Sequence, residues 1–186
     1  HPERTALRTK GDEFSITWAE YGQKVRDTAS ALAGLGLERG GTMAVMLTNR
    51  PEFHWFDAAA LHLGATPFSV YNTYTPEQVQ FQVADAEARI VVTERAFEDR
   101  IRALTGVDHV VVVDGGDDVE RHAAPDFDFE AAWRAVEPED VLTLIYTSGT
   151  TGPPKGVQLT HANLISAVQG FDEVIAFPDD GRVVSW

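Results

Sequence analysis

Thr42–Leu47 reads TMAVML, a short continuous apolar run rather than an alternating one. A strand that offers apolar side chains to both of its faces belongs in a sheet covered on both sides, the usual situation of parallel sheets. Outward from it, the chain changes to helical spacing in both directions. Upstream, Thr17-Trp18-Ala19-Glu20 is a capping box, in which the Thr hydroxyl and the Glu carboxylate each satisfy a free amide at a helix start. Trp18, Tyr21, Val25, Ala29 and Leu32 then follow at steps of three and four, and Gly34 and Gly36 lie where that helix should end. Downstream, Asn49-Arg50-Pro51-Glu52 starts a second helix with Pro in its first turn, and Gly64 closes it.

The alternation continues. Ala65–Val70 is the next strand, and Thr75-Pro76-Glu77-Gln78 is a second capping box opening a helix to about Ala86. Arg89–Thr93 is apolar and β-branched, Phe97–Leu104 suits a short helix, and Val110–Val113 is four valines in a row. Strands apolar on both faces and alternating with helices predict an α/β fold, a parallel sheet covered by helices and joined by right-handed crossovers, built from Thr42 to Val113. Asp114–Asp128 (DGGDDVERHAAPDFD) is polar and turn-rich and reads as a surface loop. Its acids lack the alternating spacing and terminal Glu of a calcium loop.

Composition narrows the function. The chain has 186 residues, 44% hydrophobic and 24% charged, as in an ordinary globular protein. Its 15 basic against 29 acidic residues give a net charge of −14. A surface that acidic repels nucleic-acid phosphates, so nucleic acid is not an expected partner. There is no cysteine, which excludes disulfides and thiolate metal sites and fits a reducing compartment. A cytoplasmic location is expected, with peripheral attachment to a membrane left open. No apolar run approaches the roughly 18 residues of a spanning helix, and His1-Pro2-Glu3-Arg4 does not resemble a signal peptide. With no initiator Met, and with Trp186 inside an apolar run, the chain reads as an excerpt of something longer.

The chemistry sits further along. Val141–Tyr146 is a strand by composition, and Val157–Thr160 is another. Between them runs Thr147-Ser148-Gly149-Thr150-Thr151-Gly152-Pro153-Pro154-Lys155-Gly156, with four hydroxyls, three glycines and one lysine in ten residues. Glycines let backbone amides approach an anion, hydroxyls donate to phosphate oxygens or ligate Mg²⁺, and lysine adds a mobile positive charge. Such a loop suits a triphosphate. It is not a Walker A loop, because the second glycine that motif requires falls on Pro154, or on Val157 in the alternative register. A flexible linker is the plain alternative, but apolar β segments flank the loop at once and Pro-Pro stiffens it.

Ile145–Gly156 (IYTSGTTGPPKG) resembles the signature loop of the adenylate-forming, or AMP-binding, superfamily of acyl-CoA synthetases, peptide-synthetase adenylation domains and luciferases. Ile16–Tyr21, Leu61–Pro67 and Leu159–Leu164 are similar to further family motifs, so the resemblance covers essentially the whole chain. It implies that residues 1–186 are an incomplete amino-terminal portion of the AMP-binding domain, without the carboxy-terminal domain. It implies also that Thr147, Ser148, Gly149, Thr150, Thr151, Gly152 and Lys155 contact the ATP phosphates, with Thr147 a Mg²⁺ ligand. In such enzymes a carboxylate attacks the α-phosphate to give an acyl-adenylate and pyrophosphate, and a thiol then takes the acyl group. ATP, Mg²⁺ and coenzyme A are the implied cofactors, and small molecules the implied partners. A homodimer stays open.

Thr66–Val92 looks more like the long-chain fatty acyl-CoA synthetases than the acetate or aryl-acid enzymes, so a fatty acid–CoA ligase is the expectation. An amino-acid-activating adenylation domain and a non-catalytic nucleotide-binding module are the alternatives. By resemblance the acyl pocket, the ribose-binding aspartate and the catalytic lysine lie past Trp186. No catalytic residue is therefore expected within this chain, and by itself it should not catalyse. The loop is expected to be loosely held when empty.

Other residues have plainer readings. His54 and His62 share a helix face but are too far apart for a chelating pair. His161 is either near a phosphate or part of the helix cap Thr160-His161-Ala162-Asn163. Tyr71, Tyr74 and Phe81 read as packing residues.

Overall fold

The computed structural model describes residues 1–115, 119–147, 153–174, 181 and 183. Strands β1 (Thr5–Arg8) and β2 (Ser15–Thr17) form an antiparallel hairpin that leads into α1 (Trp18–Gly34). Then come β3 (Thr42–Met46), α2 (Pro51–His62), β4 (Thr66–Ser69), α3 (Pro76–Asp85), β5 (Ile90–Thr93), α4 (Glu98–Arg102) and β6 (His109–Val112). The chain continues through α5 (Phe129–Arg134), β7 (Val141–Thr147), β8 (Lys155–Thr160) and α6 (His161–Val174).

The parallel sheet is as expected. Its order is β4-β3-β5-β6, and every neighbouring pair is parallel. Both capping boxes form: Thr17 Oγ1 accepts from the Glu20 amide at 3.2 Å while Glu20 accepts from the Thr17 amide at 2.7 Å, and Thr75 pairs with Gln78 likewise. The connection from β3 to β4 moves one way along the sheet, and those from β4 to β5 and β5 to β6 move the other way. Crossovers of one hand that move in opposite directions leave their helices on opposite faces. Accordingly, α1 and α2 bury Val25, Leu32, Phe56 and Ala60 against Met43, Val45, Ile90 and Val92. Helices α3 and α4 bury Val79, Val83 and Ile101 against Ala44, Met46, Phe68 and Val91 on the other face. Successive residues of TMAVM thus enter different cores, which is why the run could not alternate.

The structure adds detail in two places and corrects the bounds of two strands. The turn-rich segment after Asp114 includes a 3-10 turn at Val119–His122 and is followed by α5, whose N-cap Asp128 accepts from the Ala131 amide at 3.0 Å. Six residues are too short to show helical periodicity. Strands β7 and β8 are longer than expected, taking in Thr147, Lys155 and Gly156, because their ladder pairs Thr147 with Lys155 and Tyr146 with Gly156. They form an antiparallel ribbon of their own, a pairing on which the sequence was silent.

Candidate functional site

The ribbon lies against the outer edge of β4. The amides of Thr66 and Val70 bond towards β3, to Gly41 O at 2.8 Å and Val45 O at 2.9 Å. Pro67, facing the other way, has no amide to offer, so a further ladder cannot form there. Hydroxyls replace it: Thr66 Oγ1 donates to Val141 O at 2.8 Å, and Thr143 Oγ1 donates to Pro67 O at 2.7 Å. These contacts set β7 running the same way as β4. The paired strand ends Thr147 and Lys155 therefore lie at the carboxyl end of the parallel sheet, the end at which open α/β sheets bind ligands.

The usual place for such a ligand, the switch point between β3 and β5, is already filled. There Glu94, buried, accepts from both the amide and the hydroxyl of Thr48 at 2.9 Å. Arg50 bonds Glu52 at 2.9 and 3.0 Å and Asp114 at 3.2 Å, and lies 3.6 Å from Glu94. Burial pushes the Glu52 carboxyl up, and the Arg50 guanidinium more than offsets this, so it titrates below the usual carboxylate range. Asp114 is held low by the Arg95 amide and then by Arg50. Those charges satisfy one another.

Of the predicted phosphate contacts, Thr147 and Lys155 are brought together. They are directly paired across the ribbon, both exposed. Lys155 makes no ion pair with a described residue. Ser148, Gly149, Thr150, Thr151 and Gly152, with the expectation about their looseness, lie outside the described residues. Among the described residues no group of three or more His, Asp and Glu converges on a metal position. A Mg²⁺ ion at the Thr147 hydroxyl would complete its octahedron with water and phosphate oxygens, which is how that ion is commonly held.

Both ends of the ribbon are pinned to the sheet by residues that the sequence did not single out. At the start of β7, Arg39 grips Asp140 with two bonds of 2.9 Å and reaches Glu137 at 3.1 Å. Its stem crosses Gly64, where a Cβ would come within 2.8 Å of it. The guanidinium, then the Glu137 amide, holds the Asp140 carboxyl below its ordinary range. At the loop end, Tyr146 Oη donates to Asp85 Oδ2 at 2.9 Å and lies 3.3 Å from Gln82 O, and its ring sits 5.8 Å from that of Phe68. Gly156 faces that ring: a Cβ there would lie 3.2 Å from Tyr146 Cζ.

His161 does not approach the loop. Strand β8 spans roughly 20 Å over six residues, and His161 begins α6 at the opposite end, its amide donating to Asp140 O at 3.1 Å. Thr160 and Asn163 cap the helix reciprocally at 3.0 and 3.2 Å. His62 holds Ala58 O at 2.7 Å and stacks on Phe129 at 5.2 Å, while His54 lies against Phe53.

With this geometry the comparisons with known proteins agree. The AMP-binding enzyme family matches residues 1–186, and the chain belongs to that family. It is similar to 4-coumarate–CoA ligase 3 of Oryza sativa subsp. japonica, 40% identical over 162 residues, 83% of this chain and 28% of that protein. It is similar also to fatty acyl-CoA synthetase A of Dictyostelium discoideum, 29% identical over 197 residues, 94% of this chain and 30% of that protein. Among solved structures, the O-succinylbenzoate coenzyme A synthetase of Bacillus subtilis in complex with AMP superposes with a TM-score of 0.75 at 29% identity, over 93% of this chain and 43% of that one. The chain thus spans less than a third of the length of those two curated relatives. Among the described residues no helix is long and apolar enough to cross a membrane.

Proposed function

We propose that residues 1–186 are the amino-terminal, phosphate-gripping portion of an AMP-binding domain in an acid–thiol ligase, and that its acid is a fatty acid. A carboxylate oxygen attacks the α-phosphorus of ATP, pyrophosphate leaves, and the thiol sulfur of coenzyme A then displaces AMP from the acyl carbon. In this reading Thr147, Ser148, Gly149, Thr150, Thr151, Gly152 and Lys155 contact the phosphates, and Thr147 also holds Mg²⁺, which neutralises phosphate charge. The work of these residues is positioning and charge stabilisation.

The observation that carries the reading is the pairing of Thr147 with Lys155 at the carboxyl end of the sheet, with the Lys155 charge exposed. The Asp and Glu side chains nearest the switch point are occupied by Arg50, so the triphosphate has its cation at the ribbon. Sequence resemblance supports a fatty acid, while the likeness to a 4-coumarate–CoA ligase makes an aryl acid the competitor. ATP–pyrophosphate exchange by the full-length protein, with fatty acids of graded length beside 4-coumarate, separates them. Exchange driven by the fatty acids supports the proposal. Exchange with 4-coumarate alone overturns the substrate, and none with any acid overturns the activity.

A further inference from the structure

Resting on that reading, we infer that Tyr146 is a positioning residue for ATP, tying both ends of the phosphate loop to α3 through Asp85. Tyr146 immediately precedes Thr147, and its ladder partner Gly156 immediately follows Lys155. One ring therefore touches both strands at the point where the loop begins and ends. Its hydroxyl reaches across to α3 at 2.9 Å, and its edge lies against the glycine, where no side chain fits without displacing it. Helix α3 is a firm support, since Val79, Gln82 and Val83 are buried in the parallel lobe.

Among the described residues this is the side-chain hydrogen bond from β7 to the parallel lobe nearest the loop. The next, at Thr143, is three residues back, about 10 Å along the strand. Burial, and then the Asp85 carboxylate, raises the phenol above its ordinary range, so it remains a donor at any working pH. Without this tie the ribbon end pivots about Thr143, and a small displacement of phosphate donors weakens their bonds to ATP.

The test uses the full-length protein carrying Tyr146→Phe, Asp85→Ala, or both, since Asn at position 85 would still offer an acceptor oxygen. Each single change should raise the KM for ATP by about fivefold, as loss of one hydrogen bond implies. The pair should do no more than either alone. The KM for the acid should stay put, and Tm should hold within about 2 °C. An unchanged KM for ATP overturns the inference, as does an equal rise in both KM values with a matching fall in Tm, which marks general support only. If Lys155→Ala impairs ATP use while Tyr146→Phe does not, the reading of the loop stands and this inference falls. If the unaltered protein uses no ATP, both fall.

Discussion

The parallel sheet and the ribbon beside it both carry many apolar residues but bury them differently. In β5, Val91 and Val92 are both 0% exposed, because one faces the α3–α4 layer and the other the α1–α2 layer. In the ribbon, Ile145 is 49% and Val157 44% exposed, and Phe171 on α6 is 57% exposed. The ribbon has one face against β4 and α3, and its outer face has no covering layer among the described residues. The parallel lobe is thus held by its own core, whereas the ribbon, among the described residues, has only Leu144 and Tyr146 packed against that core and relies on hydrogen bonds at Arg39, Thr66, Thr143 and Tyr146. A stable scaffold carries a loop-bearing element that depends on neighbours for its position. The uncovered face is where we propose that the rest of the AMP-binding domain packs.

The largest expected effect bears on that dependence. Residues 1–186 alone should show no ATP–pyrophosphate exchange with any acid, because in the proposed reading the loop would supply phosphate donors, with the acid pocket and the groups opposite the α-phosphate coming from the rest of the protein. Nucleotide affinity should be near millimolar, about −4 kcal/mol. Robust exchange by the isolated chain would break the comparison.

The two sheets should also respond differently to truncation. Phe68→Ala, in the buried sheet, should cost about 3–5 kcal/mol in denaturant melts of the isolated chain. Val157→Ala, on the exposed ribbon, should stay within about 0.5 kcal/mol. Equal costs would mean that the ribbon's outer face is covered after all.

A third effect belongs to the parallel lobe alone. Burial pushes the Asp57 carboxyl on α2 up to about 6. The folded chain then binds that proton more tightly than the unfolded chain, whose carboxyl titrates near 4. Stability from this group is therefore present at low pH and lost as pH rises from about 4 through about 6. Asp57→Asn should stabilise by on the order of 2 kcal/mol at pH 7 and very little at pH 4. A gain of the same size at both pH values would refute the burial argument. A smaller cost than that of Phe68→Ala is expected for Thr143→Val, which strips one hydroxyl from the ribbon's link to Pro67 and should cost about 1 kcal/mol.

Much of the parallel lobe was legible because its residues obey local rules. TMAVML, the two capping boxes and the valine run each state an element within a few residues, and the crossover rule then assigns helices to faces. The ribbon was legible only as two strands. Nothing local to VLTLIYT or KGVQLT says that they pair with each other rather than join the parallel sheet. That outcome depends on Pro67, which removes an amide from the edge of β4 some 75 residues earlier. Likewise the loop announced itself by composition, whereas Asp85 and Arg39, which fix its base, look like ordinary surface charges until the fold brings them to Tyr146 and Asp140.

The central claim is that a triphosphate is held at the turn between β7 and β8 by the charge of Lys155. The direct measurement is ATP affinity by calorimetric titration of the full-length protein with and without Lys155→Ala. Loss of one charge-assisted bond, roughly 1.5–3 kcal/mol, predicts affinity about ten- to a hundredfold weaker, with acid binding unchanged. Identical ATP affinity in the two proteins would contradict the account.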